Sequence, residues 1–125
     1  MMTDGTSSTM LVGESVSGTY KYSTAYGPYW GSGCHTSTHG RIHLPSASNA
    51  AATAPNGPSG VYYPASPPAI INKPYAWVFS SKHPGGINVV MGDGSVRFIK
   101  NTINLYTWFS MSTIQAGEIF SADSM

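Results

Sequence analysis

Two β-rich runs flank the dipeptide Asp93-Gly94 in the segment "SKHPGGINVVMGDGSVRFIK", Ser81 to Lys100. Asp-Gly in that setting predicts a two-residue hairpin turn with positive φ at both central positions, which restricts the fold more than anything else in the chain. The pairing that follows sets Gly92 against Ser95, Met91 against Val96, Val90 against Arg97, Val89 against Phe98, Asn88 against Ile99 and Ile87 against Lys100. Side chains alternate between the two faces of a strand. This register therefore gathers Ile87, Val89, Met91, Val96 and Phe98 on a core face. It leaves Asn88, Val90, Ser95, Arg97 and Ile99 on a mixed face that suits solvent or a partner. The same register answers whether His83 and Asp93 form a catalytic pair. At ~3.3 Å per strand residue they stand on the order of 25–30 Å apart, at opposite ends of the hairpin. Asp93 reads as a turn residue. His83, held extended by Pro84, is expected to hydrogen-bond the hairpin base or a neighbouring loop.

The rest of the chain agrees with a strand-and-turn protein. Charged residues make up 9% of the 125, against roughly 25% in an ordinary soluble domain, while Gly, Pro, Ser, Thr and Tyr are plentiful. A helical bundle needs the opposite composition. We expect a mainly β fold: an antiparallel sheet with a β-hairpin at 87–99, a long irregular loop and one short C-terminal helix, in a single domain spanning 1–125. "TMLVGESV" (Thr9 to Val16) predicts a short strand after a turn at Asp4-Gly5. Thr19 to Tyr29 has room for a second strand. Residues 30–74 form a loop excursion whose "SASNAAATAPNGPSG" core lacks a hydrophobic period. Val61-Tyr62-Tyr63 and Ala69-Ile70-Ile71 are its expected anchors. "YAWVFS" (Tyr75 to Ser80) predicts a buried strand. "NTINLYTWFSM" predicts a short helix capped by Asn101 or Thr102, and "GEIFSADSM" a last strand or extended tail.

Charge and motif content exclude several functions. The formal net charge is +1 and the six basic residues are scattered, so no stripe tracks a phosphate backbone and no nucleic-acid partner is expected. No run of 18 apolar residues is present to span a membrane. A lone cysteine, Cys34, forbids an intrachain disulfide. "CHTSTHGRIH" places Cys34, His35, His39 and His43 together, a set of soft and imidazole ligands weighed as a zinc or copper site. No further ligand group completes it, so the expectation is no metal and no cofactor. "GESVS" lacks the final Gly of a nucleophile elbow and falls on a strand, so no catalytic residue is assigned. Glu14 and Glu118 both follow Gly at strand-like positions; they have the makings of a carboxylate pair, but solvated or hydrogen-bonded structural roles are the expectation. Tyr20, Tyr22, Tyr26, Tyr29 and Trp30 suit either sugar stacking or an interface.

Three blocks then carry a resemblance. "SSKHPGGINVVMGDGSVRFIKNTINLYTW", with His83, Gly85, Gly86, Asp93 and Gly94, resembles the signature of the prepilin-type, processing-associated H-x(9)-D-G domain, found in a large family of pilin-like proteins. "TDGTSSTMLVGES" resembles a D-G-T-S-N-T block of the same family. "TIQAGEIFSADSM" resembles its terminal T-x-x-G-G-E-V-x-S-A-D block. Ser8 departs from the usual Asn, and Ala116 from the first of two usual glycines. Together the blocks cover about half the chain. Family members begin with a pilin-like leader and hydrophobic helix, so the resemblance implies that this chain is the C-terminal globular part of such a protein. It implies export to the periplasm, cell surface or medium. The function expected is a non-enzymatic pilin-like or pseudopilin-like subunit that self-assembles or contacts sibling subunits, with the Tyr20–Trp30 tyrosines at the interface. The alternative is a secreted carbohydrate- or ligand-binding β module.

Overall fold

The computed structural model describes residues 5–16, 40–47, 50–57 and 77–114. Among them the protein is mainly β. Strands β1 (Met10–Gly13), β2 (Gly86–Met91) and β3 (Val96–Lys100) form one antiparallel sheet in the order β1-β2-β3. A short helix, α1 (Leu105–Ser110), follows β3. The expected strands within 19–29 and 117–125, and the loop anchors at 61–63 and 69–71, lie outside the described residues.

The hairpin forms, but its register is one residue from the expected one. Val90 faces Val96, Val89 faces Arg97, Asn88 faces Phe98, Ile87 faces Ile99 and Gly86 faces Lys100. The connection is a three-residue loop. Gly94 N–H donates to the Met91 carbonyl at 3.0 Å, Met91 N–H donates to the Ser95 carbonyl at 2.8 Å, and Gly94 takes φ +83°. Asp93 does not share the positive φ that a two-residue turn would demand; the one described non-glycine there is Asn56. This is a type I turn closed by a left-handed glycine, the usual three-residue hairpin loop. The extra loop residue turns β3 over, because strand periodicity is two. Ile99, assigned to the mixed face, is fully buried, while Val96 and Phe98, assigned to the core face, are exposed.

The core lies on one side of this sheet. Ile87, Val89, Met91 and Ile99 pack against Ile103, Trp108 and Met111, with Met10, Ile42 and Phe79 at the margin. Trp108 is the largest of these side chains. It meets Phe79 edge-on at 5.8 Å between ring centroids, and its indole N–H donates to the Thr53 carbonyl at 2.8 Å. That bond fixes the 3-10 turn Ala50–Thr53 to the core. Its Ala50, Ala52 and Thr53 are buried although their segment reads as aperiodic loop, since small residues let the backbone itself approach. Asn104, and neither Asn101 nor Thr102, caps α1, its Oδ1 accepting from Tyr106 N–H at 2.8 Å.

The predicted strand at 75–80 is replaced, over its described residues 77–80, by an extended tie without a regular ladder. Its carbonyls and N–H groups are shared among three neighbours. Arg41 N–H donates to Trp77 O, Asn56 N–H to Phe79 O, and Ser80 N–H to Glu14 O. Divided bonding of that kind satisfies the backbone without forming a strand.

Candidate functional site

The H-x(9)-D-G segment grips the β1 region at both ends of the hairpin. At the tip, the turn after Gly5 presents carbonyls to the loop: Asp93 N–H donates to Thr6 O at 3.0 Å and Gly92 N–H to Thr9 O at 2.7 Å. The buried Thr9 hydroxyl donates back to Gly5 O at 3.2 Å. The Asp93 carboxylate accepts from the Ser95 hydroxyl at 2.6 Å and the Ser95 N–H at 2.9 Å. These bonds, hydroxyl first, with Arg97 nearby, hold the Asp93 carboxyl below its usual range.

At the base, the work passes to side chains. Glu14, just past β1, accepts from Asn88 N–H at 2.8 Å through one oxygen and from the Asn88 amide at 3.0 Å through the other. His83 Nε2 lies 3.3 Å from the second oxygen. Burial pushes the Glu14 carboxyl up, but the Asn88 bonds and the His83 ring together outweigh it and hold the group below its usual range. Beside this pair, Ser81 Oγ donates to Gly86 O at 2.7 Å and accepts from His83 N–H at 3.0 Å. Asn56 closes the network. Its amide donates to Asn101 Oδ1 at 2.8 Å and to Gly86 O at 3.3 Å, and its oxygen accepts from Ser81 N–H at 2.7 Å.

The two glycines of "HPGG" do different jobs. Gly85 has φ +84°, with its carbonyl accepting from Asn101 N–H at 2.8 Å. Gly86 has no such backbone demand; an added Cβ there would run into the Ile99 carbonyl and the Phe98 ring. Gly94 takes its positive φ with open space around it.

His83 and Asp93 are therefore not brought together: His83 meets Glu14 at the base, and Asp93 meets Ser95 and the Thr6 turn at the tip. Glu14 takes the hydrogen-bonded structural role preferred for it, while Glu118, its candidate pair partner, lies outside the described residues. Asn56 was missed; its signal was an Asn followed by Gly, the residue type that tolerates left-handed φ best after glycine. Of the metal candidates, Cys34, His35 and His39 lie outside the described residues. His43 is half-buried, with its N–H bonded to Thr53 Oγ1. Among the described residues no group of three His, Cys, Asp or Glu side chains comes together. Ser15 of "GESVS" donates to the Val78 carbonyl at 3.3 Å. Tyr20, Tyr22, Tyr26, Tyr29 and Trp30 lie outside the described residues. No described helix is long and apolar enough to cross a membrane.

Among the described residues, two surfaces stand out. The sheet face opposite the core carries Val12, Val90 and Val96 in one cross-strand row. Glu14 and Asn88 continue it, with Phe98 paired to Asn88. Val12, Val96 and Phe98 are 61%, 66% and 47% exposed. Separately, Met10, Leu11, Gly40, Arg41, Ile42, Phe79 and Ser112 line a hollow of about 420 Å³.

A family model described as "Protein of unknown function (DUF1559)" matches residues 1–105. The match takes in the first block and, of the second, everything up to Leu105, and stops before the terminal block. No curated protein and no solved structure matches the chain.

Proposed function

The chain belongs to the DUF1559 family, and on that premise we propose that it is a non-enzymatic, pilin-like or pseudopilin-like structural subunit, exported from the cytoplasm, that acts by assembling with copies of itself or with sibling subunits. The observation that carries this reading is the open sheet face. Val12, Val96 and Phe98 stand exposed on one face of a three-stranded sheet whose opposite face packs on the core. Large apolar side chains gathered on one face mark contact surfaces. The signature residues support the reading from the other side. His83, Gly85, Gly86, Asp93 and Gly94 are each accounted for by a structural bond, a backbone angle or a steric need.

Light scattering on the chain at high micromolar concentration, with electron microscopy of the same sample, tests the proposal. Oligomers or filaments are expected, with homomeric contacts of at least ~1,000 Å² in total. A strictly monomeric species at neutral pH counts against it. The hollow beside Phe79, with the Arg41 guanidinium 6.0 Å from the Trp77 ring centroid, favours the second reading, a ligand-binding module. Saturable binding of a sugar or other small molecule by the monomer would select it.

A further inference from the structure

The order β1-β2-β3 leaves two sheet edges, and they are treated differently. Along β1 the chain covers its own edge: Met10 N–H donates to the Met111 carbonyl at 2.7 Å, and Ser80 N–H to the Glu14 carbonyl at 2.9 Å. Val16 N–H then reaches Ser80 Oγ at 3.1 Å. Along β3, among the described residues, nothing comparable is found. The bonds Met91 N–H to Ser95 O and Asn101 N–H to Gly85 O fix which β3 residues bond inward. With pairs 85:101 and 91:95 bonded, alternation makes 87:99 and 89:97 bonded as well. Val96, Phe98 and Lys100 accordingly turn their N–H and C=O groups away from β2. Among the described residues, only Ile103 N–H reaches any of these groups, at Lys100 O.

We propose that this edge is the copy-to-copy contact: β3 of one molecule pairs antiparallel with β3 of a second, continuing the sheet across a two-fold axis at Phe98. The proposal rests on the self-assembly reading and names its surface. An outward row of alternating donors and acceptors is satisfied best by another strand. A second copy fits because full overlap of the two five-residue strands is centred on their middle residue, Phe98. In that register Phe98 faces Phe98, Val96 faces the aliphatic stem of Lys100, and Arg97 faces Ile99. No charge opposes its like, so the two basic residues that would guard the edge do not block self-pairing. A register centred on Arg97 would set two guanidinium groups against each other, which disfavours it. On the outer face, Val96 and Phe98 stand at the edge itself, so the exposed apolar row runs on from one copy into the next. A five-residue strand pair is small among protein interfaces, so association through this edge alone is weak.

Residue-resolved hydrogen exchange on the whole chain, at low and at high micromolar concentration and paired with sedimentation velocity, tests it. The amides of Val96, Phe98 and Lys100 are expected to slow by about fivefold or more at high concentration, while inward-bonded Arg97 and Ile99 change little. Phe98→Pro removes an outward donor while sparing the bonds to β2. Val96→Lys places a charge on the edge. Both are expected to abolish the concentration dependence. Leu44→Lys, an exposed apolar position off the sheet, should leave it intact. Association in which the β3 amides exchange at concentration-independent rates overturns the edge proposal while the assembly reading stands. A chain that sediments as a monomer throughout overturns both.

Discussion

The hairpin is held to the β1 region at its tip by backbone groups alone and at its base by side chains added to one backbone bond, from Glu14 N–H to the Asn88 carbonyl at 3.2 Å. At the tip, Gly92 and Asp93 donate main-chain N–H groups to main-chain carbonyls of Thr9 and Thr6. At the base, Glu14, His83, Asn88, Asn56 and Ser81 form a network in which one carboxylate takes two bonds from Asn88 and the approach of an imidazole. The tip thus depends on backbone angles and tolerates changes of side chain that keep them. The base depends on particular functional groups and on charge. In this chain the segment with a histidine at one end and Asp-Gly at the other is therefore two separate fastenings on one hairpin. The spacing between them is the length of a strand that keeps them apart.

The largest expected effect is at the base. Gly86→Ala drives a Cβ into the Ile99 carbonyl and the Phe98 ring, and overpacking of that kind costs typically about 1–3 kcal/mol. Urea denaturation should place it at about 2 kcal/mol. A cost near zero would mean that β2 and β3 can spread apart there. Gly94→Val tests the tip. An added Cβ there meets nothing within 4 Å, so the φ of +83° is what resists it, at about 1 kcal/mol or more. A thermal melt equal to wild type would show that the loop can adopt another turn.

The third expectation separates the ends by pH. Glu14 has a folded pKa depressed below its usual 4.5. The unfolded chain then takes up the proton first. The stability supplied by Glu14 is complete above that value and is lost as pH falls through the folded pKa. Glu14→Gln should remove that contribution at neutral pH, about 1 kcal/mol or less for a half-exposed group, and flatten the acid limb of the stability curve. Asp93 is depressed too, through Ser95, but its carboxylate is exposed and screened by solvent, so Asp93→Asn should leave most of the acid limb in place. Equal flattening by both variants would erase the distinction.

Much of this was legible in the sequence, and the misses have definite causes. Asp-Gly between alternating runs announced the hairpin, and the positive φ of Gly94 followed from residue type. The face of β3 was not legible, because two-residue and three-residue loops differ by one position and Gly92-Asp93-Gly94 suits both. That single residue decided whether Phe98 or Ile99 was buried. The network around Glu14 was hidden for another reason. Glu14, Asn56, His83 and Asn101 are scattered along the chain, and nothing local marks them as neighbours. The alanines at 50–52 showed no period, because a 3-10 turn buried by backbone approach does not need one.

A double-mutant cycle on His83 tests most directly whether the signature is two fastenings or one pair. His83→Ala is combined with Glu14→Gln in one cycle and with Asp93→Asn in another, and unfolding free energies are measured at neutral pH. The two-fastening account predicts a coupling of about 0.5 kcal/mol between His83 and Glu14, in the range of partly exposed pairs, and none between His83 and Asp93. Coupling between His83 and Asp93 equal to or larger than that with Glu14 would contradict it.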